Sequence, residues 1–416
     1  MKPTYAAFSE SEYRSRLARA RAALRKAGID CCIAVAPEDL YYLGGYDSWV
    51  ASNSPQALVF MTDGGEPTLL VRNVDELLPR ETSWIKDIRT YYLHQENAAE
   101  RIAAIAREKG LKGGRVAIEL QSFAIPYAFG KELAEALLPA RLEDATVLLG
   151  DLRHIKSAGE LAYLREAARY ANLGLAAARK ALKPGVTEIE LAAALEGAMR
   201  HAGGDYWSIP TELTSGPRSP GGHGTPRERK IRPRDLVHVE FAGVSHRYHA
   251  VALHTMALGQ PSARARDIYR LTRESLTAGL KAIRPGASVH DVEEASYVPL
   301  RREGLEHTAM MRFGYGIGIA FPPIWLESLQ ISRGFKNTLE PGMVFVLHAC
   351  LELVDEGIGT MQGGTYEMTR TGLKMLVGGG DCELDVVPVR ASRARSAARA
   401  GAAGKRSRRK ASPRKR

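Results

Sequence analysis

KPGVTEIELAAALEGAMRHAG, residues 183–203, and RPGASVHDVEEASYVPLRREG, residues 284–304, decide the fold between them. Each opens on a basic residue, a proline and a glycine, continues as a helical stretch and stops at another glycine. Proline and glycine make the turn that introduces a helix, and glycine tolerates the left-handed backbone that ends one. The two prolines lie 101 residues apart. A long amphipathic helix precedes each copy. The first of these starts behind the capping pair Ser157 and Glu160 and runs through LAYLREAARYANLGLAAARKAL. Helix, Pro-Gly turn, helix and glycine stop, occurring twice, predict two pseudo-symmetric α+β halves.

Strands fill the intervals. LVHVEFAG (236–243) and YHAVALHTMALG (248–259) read as the arms of a hairpin around residues 244–247. MVFVLHACLEL and TYEMTRTGLKML extend the same sheet. The expectation is an α+β domain with a curved, largely antiparallel sheet inside two helix pairs and a ligand cavity between the halves. Ahead of residue 154 the pattern changes. Ser9 and Glu12 cap an amphipathic helix that stops at Gly28, and CCIAVA, ALVFMT, GGEPTLLVR and RVAIEL follow as short apolar strands. Three segments are therefore expected: an α/β domain over 1–154, a catalytic α+β domain over 155–389 and a tail over 390–416.

The chain has 416 residues, 45% hydrophobic and 25% charged, enough for two or three domains around sizeable cores. A net charge of +11 suggests nucleic acid until it is located. The last 27 residues hold 12 Lys or Arg and no acid, leaving 46 basic and 47 acidic groups in the rest. That tail is expected to be disordered, a solubilising appendage that binds polyanions non-specifically by charge. No run of apolar residues is long enough to span a bilayer, and MKPTYAAFSESEY lacks a secretory apolar core. Four cysteines without C-x-x-C spacing complete the case for a chain with no membrane partner, expected in the cytoplasm.

Four polar residues stand out. His223 lies in SGPRSPGGHGTPRERK (215–230), a loop too rich in Gly and Pro to be core. Glu240 and Glu367 are carboxylates inside apolar strands, where they must be paired, hydrogen-bonded or functional. His348 interrupts the apolar run VFVLHAC. GYGIGIAFPP (314–323) is neither a phosphate loop nor a dinucleotide fingerprint, and its glycines suit a close approach of backbone to a ligand.

LEPGMVF (339–345), the paired Pro-Gly helices, SGPRSPGGHG and the hairpin at 236–258 together resemble the creatinase, prolidase and methionine aminopeptidase superfamily. The resemblance covers almost the whole chain to about residue 389. It implies a pita-bread catalytic domain, a smaller N-terminal α/β domain and a homodimer in which each N-terminal domain reaches its partner's site. The superfamily's metallopeptidases hold two metals with two Asp, one His and two Glu. Those positions fall on Glu240, Val251, Tyr315, His348 and Glu367, so the expectation is no metal and no cofactor. Creatinase is a metal-free member whose loop histidine corresponds to His223. Two of its substrate carboxylates fall on Leu253 and His348, which disfavours creatine.

GGYDSW (44–49), GGDY (203–206), EFAGVSHRYH (240–249), FGYGIGIAFPPIW (313–325) and TYEMT (365–369) are similar to ectoine hydrolase, which opens a cyclic amidine. The reaction this implies needs no metal. His223 is expected as general base, since imidazole titrates near neutral pH. Glu240 and Glu367 are expected to hold an amidinium, Tyr315 and His348 to donate to a developing oxyanion, and Trp49, Tyr248 and His249 to wall the pocket. The reading is a hydrolase of a non-peptide C–N bond in a small zwitterionic or cationic molecule. Two rivals stand beside it: a metal-dependent Xaa-Pro dipeptidase, and an inactive binding protein of the same fold.

Overall fold

A computed structural model describes residues 3–310, 312–378 and 383–389. The basic tail and Cys382 lie outside the described residues.

The N-terminal part is built on a six-stranded mixed sheet. Its central strand, Cys31–Ala34, is buried on both faces. Cys31 packs with the helices Ala98–Glu108 and Tyr127–Ala136, and Cys32 faces the opposite core. This is why the CCIAVA run is apolar without alternation. The hairpin read from ALVFMT and GGEPTLLVR forms as Ala57–Met61 paired antiparallel with Thr68–Arg72. Ser9 caps the helix Glu10–Lys26 by accepting the amide of Glu12.

The C-terminal part is a nine-stranded sheet, antiparallel except where Asp385–Val387 runs beside Tyr248–Leu258. Two hairpins form its middle. The first joins Leu236–Ser245 to Tyr248–Leu258, and the second joins Val344–Leu353 to Ile358–Thr369. Behind the first lies the helix pair Ala158–Ala181 and Glu188–His201, and behind the second Ala263–Ala282 and Val289–Arg302. The predicted repeat is therefore structural, and its glycines show how it works. Gly185 and Gly286 have φ of 86° and 82°, and Gly203 and Gly304 close the helices at 101° and 67°. After each Pro-Gly turn the chain docks on an incoming segment in the same way. Gly185 and Ile231 place the first turn, with Gly185 N donating to Ile231 O at 2.9 Å and Ile231 N to Val186 O at 2.8 Å. Gly286 N to Leu339 O at 2.8 Å and Leu339 N to Ala287 O at 2.9 Å repeat the pattern.

Close packing sets the curvature of the sheet. At Gly243 an added Cβ would lie 2.1 Å from the carbonyl oxygen of Ala167, so the first long helix presses directly on the hairpin backbone. Among the described residues no helix is long and apolar enough to cross a membrane. The sheet face that carries Leu253, Tyr315 and Val346 shares one core with residues of the N-terminal part, and the candidate site lies on that face.

Candidate active site

Strand register builds the site. Glu212 on Glu212–Ser215 stands opposite Glu240, Glu240 opposite Leu253, Leu253 opposite Gly363, and Gly363 opposite His348. Residues paired across a sheet point to the same face, so this row sets two carboxyls and one imidazole on the concave side. Tyr315 joins from a neighbouring strand, opposite Val346. The cavity above the row measures about 340 Å³ and is walled by Glu212, His223, Glu240, Arg312, Tyr315 and His348, with Trp325 and hydrophobic side chains between them.

Glu212 is the residue that the sequence reading missed. Nothing in IPTELTSG marks it, because its partner across the ladder is fixed only by register. One of its carboxylate oxygens is buried without a hydrogen-bond partner. Burial first and the neighbouring Glu240 second push its carboxyl up to about 8. Burial pushes Glu240 up to about 7, against a phenol hydrogen bond that works the other way. Tyr315 Oη donates to Glu240 Oε1 at 3.1 Å and accepts from Trp325 Nε1 at 3.1 Å. Among the described residues no Lys or Arg lies within ion-pair distance of either carboxyl. The guanidinium of Arg312 contacts Gln330 instead. An unpaired buried carboxyl pair is costly, and the pair lowers that cost by keeping a proton or by meeting a cation.

Burial pushes His348 down to about 4, and the nearby Arg312 and His223 act in the same direction, so its ring is neutral. Its Nδ1 lies 3.4 Å from Cys350 Sγ, whose thiol is held protonated by burial. Assigning the protonated thiol as donor to Nδ1 places the ring proton on Nε2.

The loop carrying His223 is pinned from both sides. Glu188, fully buried at the start of its helix, accepts Ser215 Oγ at 2.7 Å and the amide of Arg227 at 2.9 Å, and also contacts the Arg218 guanidinium. Glu352 Oε1 accepts the amide of Gly222 at 2.7 Å, directly beside His223. A Gly- and Pro-rich segment is thereby fixed without core packing of its own, with the imidazole exposed at the cavity mouth.

The structure brings His223, Glu240, Tyr315 and His348 together at the cavity and places the other four expected side chains outside its lining. Glu367 is outside the cavity: four residues along its strand from Gly363, it accepts Arg165 Nη2 at 2.9 and 3.0 Å. Its burial is explained by that ion pair. Tyr248 is core, with Oη donating to Glu160 Oε1 at 3.0 Å and the ring stacked on Tyr163. His249 lies one layer behind the cavity, its ring 6.5 Å from Trp325 and its nitrogens engaged by Ser208 N and Arg247 O. Trp49, half exposed on a short helix of the N-terminal part, does not line the cavity of its own chain. Tyr315 also differs from expectation in role: its proton is already committed to Glu240.

Two helix pairs clasping a curved sheet, with a polar cavity on the concave face and a smaller mixed-sheet domain in front, define a pita-bread hydrolase fold. The chain belongs to metallopeptidase family M24, which residues 162–378 match, and residues 16–155 match the creatinase/prolidase N-terminal domain. It is 30% identical over 377 residues to an uncharacterized hydrolase/peptidase of Sinorhizobium fredii, covering 88% of this chain and 95% of that protein. It is 28% identical over 373 residues to the ectoine hydrolase of Halomonas elongata, covering 84% and 92%. The dipeptidase of Mycobacterium ulcerans superposes with a TM-score of 0.78 at 25% identity, over 92% of this chain and 100% of that one.

The family name implies metals, and the residues at the cavity do not fit them. Val251 has no side-chain donor, and its backbone is engaged by the Thr365 hydroxyl. At position 363 a glycine faces His348, and an added Cβ there would lie 2.5 Å from the His348 Cβ. Tyr315 is a neutral phenol, its ionisation suppressed by burial and by Glu240. Among the described residues no group of three or more His, Cys, Asp or Glu is arranged to hold a metal ion.

Proposed function

We propose that this chain hydrolyses a C–N bond other than a peptide bond in a small cationic or zwitterionic molecule, by general-base catalysis without a bound metal. The observation that carries the reading is the buried pair Glu212 and Glu240, set opposite each other in the sheet and ion-paired to no Lys or Arg among the described residues, beside a histidine at the cavity mouth. An amidinium or ammonium placed between the carboxyls supplies the missing charge through charge-assisted hydrogen bonds. Arg312 provides the opposite pole, a guanidinium for a substrate carboxylate, which favours zwitterions.

His223 takes a proton from water as the water oxygen bonds to the amidine or amide carbon. An amide adduct gathers negative charge on oxygen, to which neutral His348 donates from Nε2, whereas an amidinium adduct is neutral and His348 donates to its hydroxyl oxygen. The C–N bond then breaks with its electron pair on nitrogen, which takes one proton from the His223 imidazolium and, in the amidine case, a second from the adduct hydroxyl as the carbonyl forms. Opening a cyclic amidine in this way gives one amino-amide and keeps every atom of substrate and water. The likeness to the ectoine hydrolase of Halomonas elongata supports a cyclic amidine as the first substrate class to try. The likeness to a solved dipeptidase favours a peptide instead, and the mismatch of the cavity to metals weighs against it.

The test is the pH dependence of binding. Carboxyls raised to about 7 and about 8 stabilise the empty protein most at acid pH and lose that contribution as pH rises through those values. A cation binds the ionised pair, so its affinity moves oppositely. The dissociation constant of an ectoine-like amidine, measured by calorimetry, is expected to fall by up to about 100-fold per pH unit below about pH 7, by about tenfold per unit between about 7 and 8, and to level off above about 8. An affinity constant across that range removes the carboxyl pair from the site.

A further inference from the structure

Glu212 and His223 belong to two cavities. The inner one is the site above, and the second is an open groove of about 430 Å³ along the helix Glu188–His201. Its walls are Ala192 and Ala193 of that helix, Pro210 and Thr211 before Glu212, and Thr225 and Pro226 after His223. The two cavities thus meet at the proposed base and at one of the two carboxyls. Beyond these shared residues Glu196 is the one ionisable side chain lining the groove.

The junction leaves polar atoms unsatisfied. Thr211 is only 3% exposed, and its Oγ1 has no hydrogen-bond partner. The neighbouring Glu212 Oε2 has none either. Buried hydroxyl and carboxylate oxygens are normally paired, so two orphans on consecutive residues, Thr211 lining the groove and Glu212 lining both cavities, mark a place for a ligand's polar group. The rest of the groove asks for little polarity. Its side chains are small and mostly uncharged, and Glu196 and Glu212 repel an anion.

We infer that the groove is a second subsite, which takes the uncharged acyl half of the substrate while the cationic half occupies the inner cavity. Resting on the hydrolase reading above, this narrows the substrate class to molecules with a cationic nitrogen on one side of the scissile carbon and a short, uncharged acyl or alkyl arm on the other. The scissile carbon lies at the junction, beside His223. Thr211 Oγ1 hydrogen-bonds the arm at its amide or amidine end, and Ala192, Ala193, Pro210 and Pro226 form a slot for its carbons. Two acidic side chains on the groove exclude arms that end in carboxylate. Thr211 is then a specificity residue, and so is the small side chain at Ala193.

N-methylbutyramide, an uncharged amide with a short arm, serves as the probe, with 1,4-diaminobutane as the cation. Binding of each to the full chain is followed by NMR, alone and with the other at saturation. The amide is expected to bind saturably with the diamine already bound, to weaken about tenfold in Thr211→Val and to lose binding in Ala193→Trp. The Thr211 hydroxyl has no hydrogen-bond partner to lose, and Ala193 is exposed, so both variants retain the fold. Displacement of the amide by the diamine, or an affinity unchanged in both variants, overturns the subsite. Amide binding that persists while the diamine fails to bind keeps the groove and overturns the inner cation site on which the hydrolase reading rests.

Discussion

Replacing His223 with alanine is expected to lower kcat by about 10²–10⁴ and to leave the fold intact, the usual share of one positioned general base. The imidazole is exposed and makes no hydrogen bond that holds the loop. The loop is held by Glu188 and Glu352, through Ser215, Arg227 and Gly222. Circular dichroism and Tm of His223→Ala should therefore match wild type while steady-state turnover collapses. A variant that keeps near-wild-type kcat makes His223 a surface histidine and moves the base elsewhere, with the Glu212–Glu240 pair next in line.

The second large effect concerns Glu240. Glu240→Gln keeps an oxygen to accept from Tyr315 and removes the charge that faces the substrate cation. The expected loss in kcat/KM toward a cationic substrate is about 10- to 100-fold, the worth of a charge-assisted hydrogen bond in a buried site. Stability should move the other way. The buried carboxyl costs more as pH rises through its raised value, so the glutamine variant should melt at or above the wild-type temperature at pH 8. A variant with lower Tm and undiminished kcat/KM would make Glu240 a structural residue.

Much of this fold is legible in the amino-acid sequence. The Pro-Gly turns and glycine stops are local chemistry, and Gly185, Gly203, Gly286 and Gly304 all adopt the positive φ that their repeated placement implies. The capping residues Ser157 and Thr187 each form a complete box with the glutamate three residues on. Chain-local signals of this kind survive folding because no distant residue has to cooperate.

The site is less legible because it depends on register. Glu240 and Glu367 look alike in sequence, each a carboxylate in an apolar strand. One strand presents Glu240 across from Glu212, whereas the other carries Glu367 to the Arg165 guanidinium of the first long helix. Sequence offers no means of telling a carboxylate paired by a distant arginine from one left unpaired in a cavity. The same blindness hid Glu212, an ordinary strand residue until its neighbour is known. Aromatic positions failed for a different reason. Tyr248 and His249 lie in a stretch of likeness to ectoine hydrolase, and here they are held by Glu160, Ser208 and the Arg247 carbonyl one layer back from the ligand. Resemblance located the neighbourhood of the cavity but not its inner surface.

The central claim is metal-free hydrolysis of a C–N bond in a small cation, and one competition experiment tests it most directly. Protein dialysed exhaustively against chelator is offered an ectoine-like cyclic amidine, an N-acyl diamino acid, creatine and a Xaa-Pro dipeptide at equal concentration, and products are followed by mass spectrometry. The account predicts that the amidine or the N-acyl diamino acid is consumed first, at a rate that added zinc, manganese or iron does not raise. Preference for creatine or the dipeptide by about tenfold or more, or turnover that appears only when metal is restored, would contradict it.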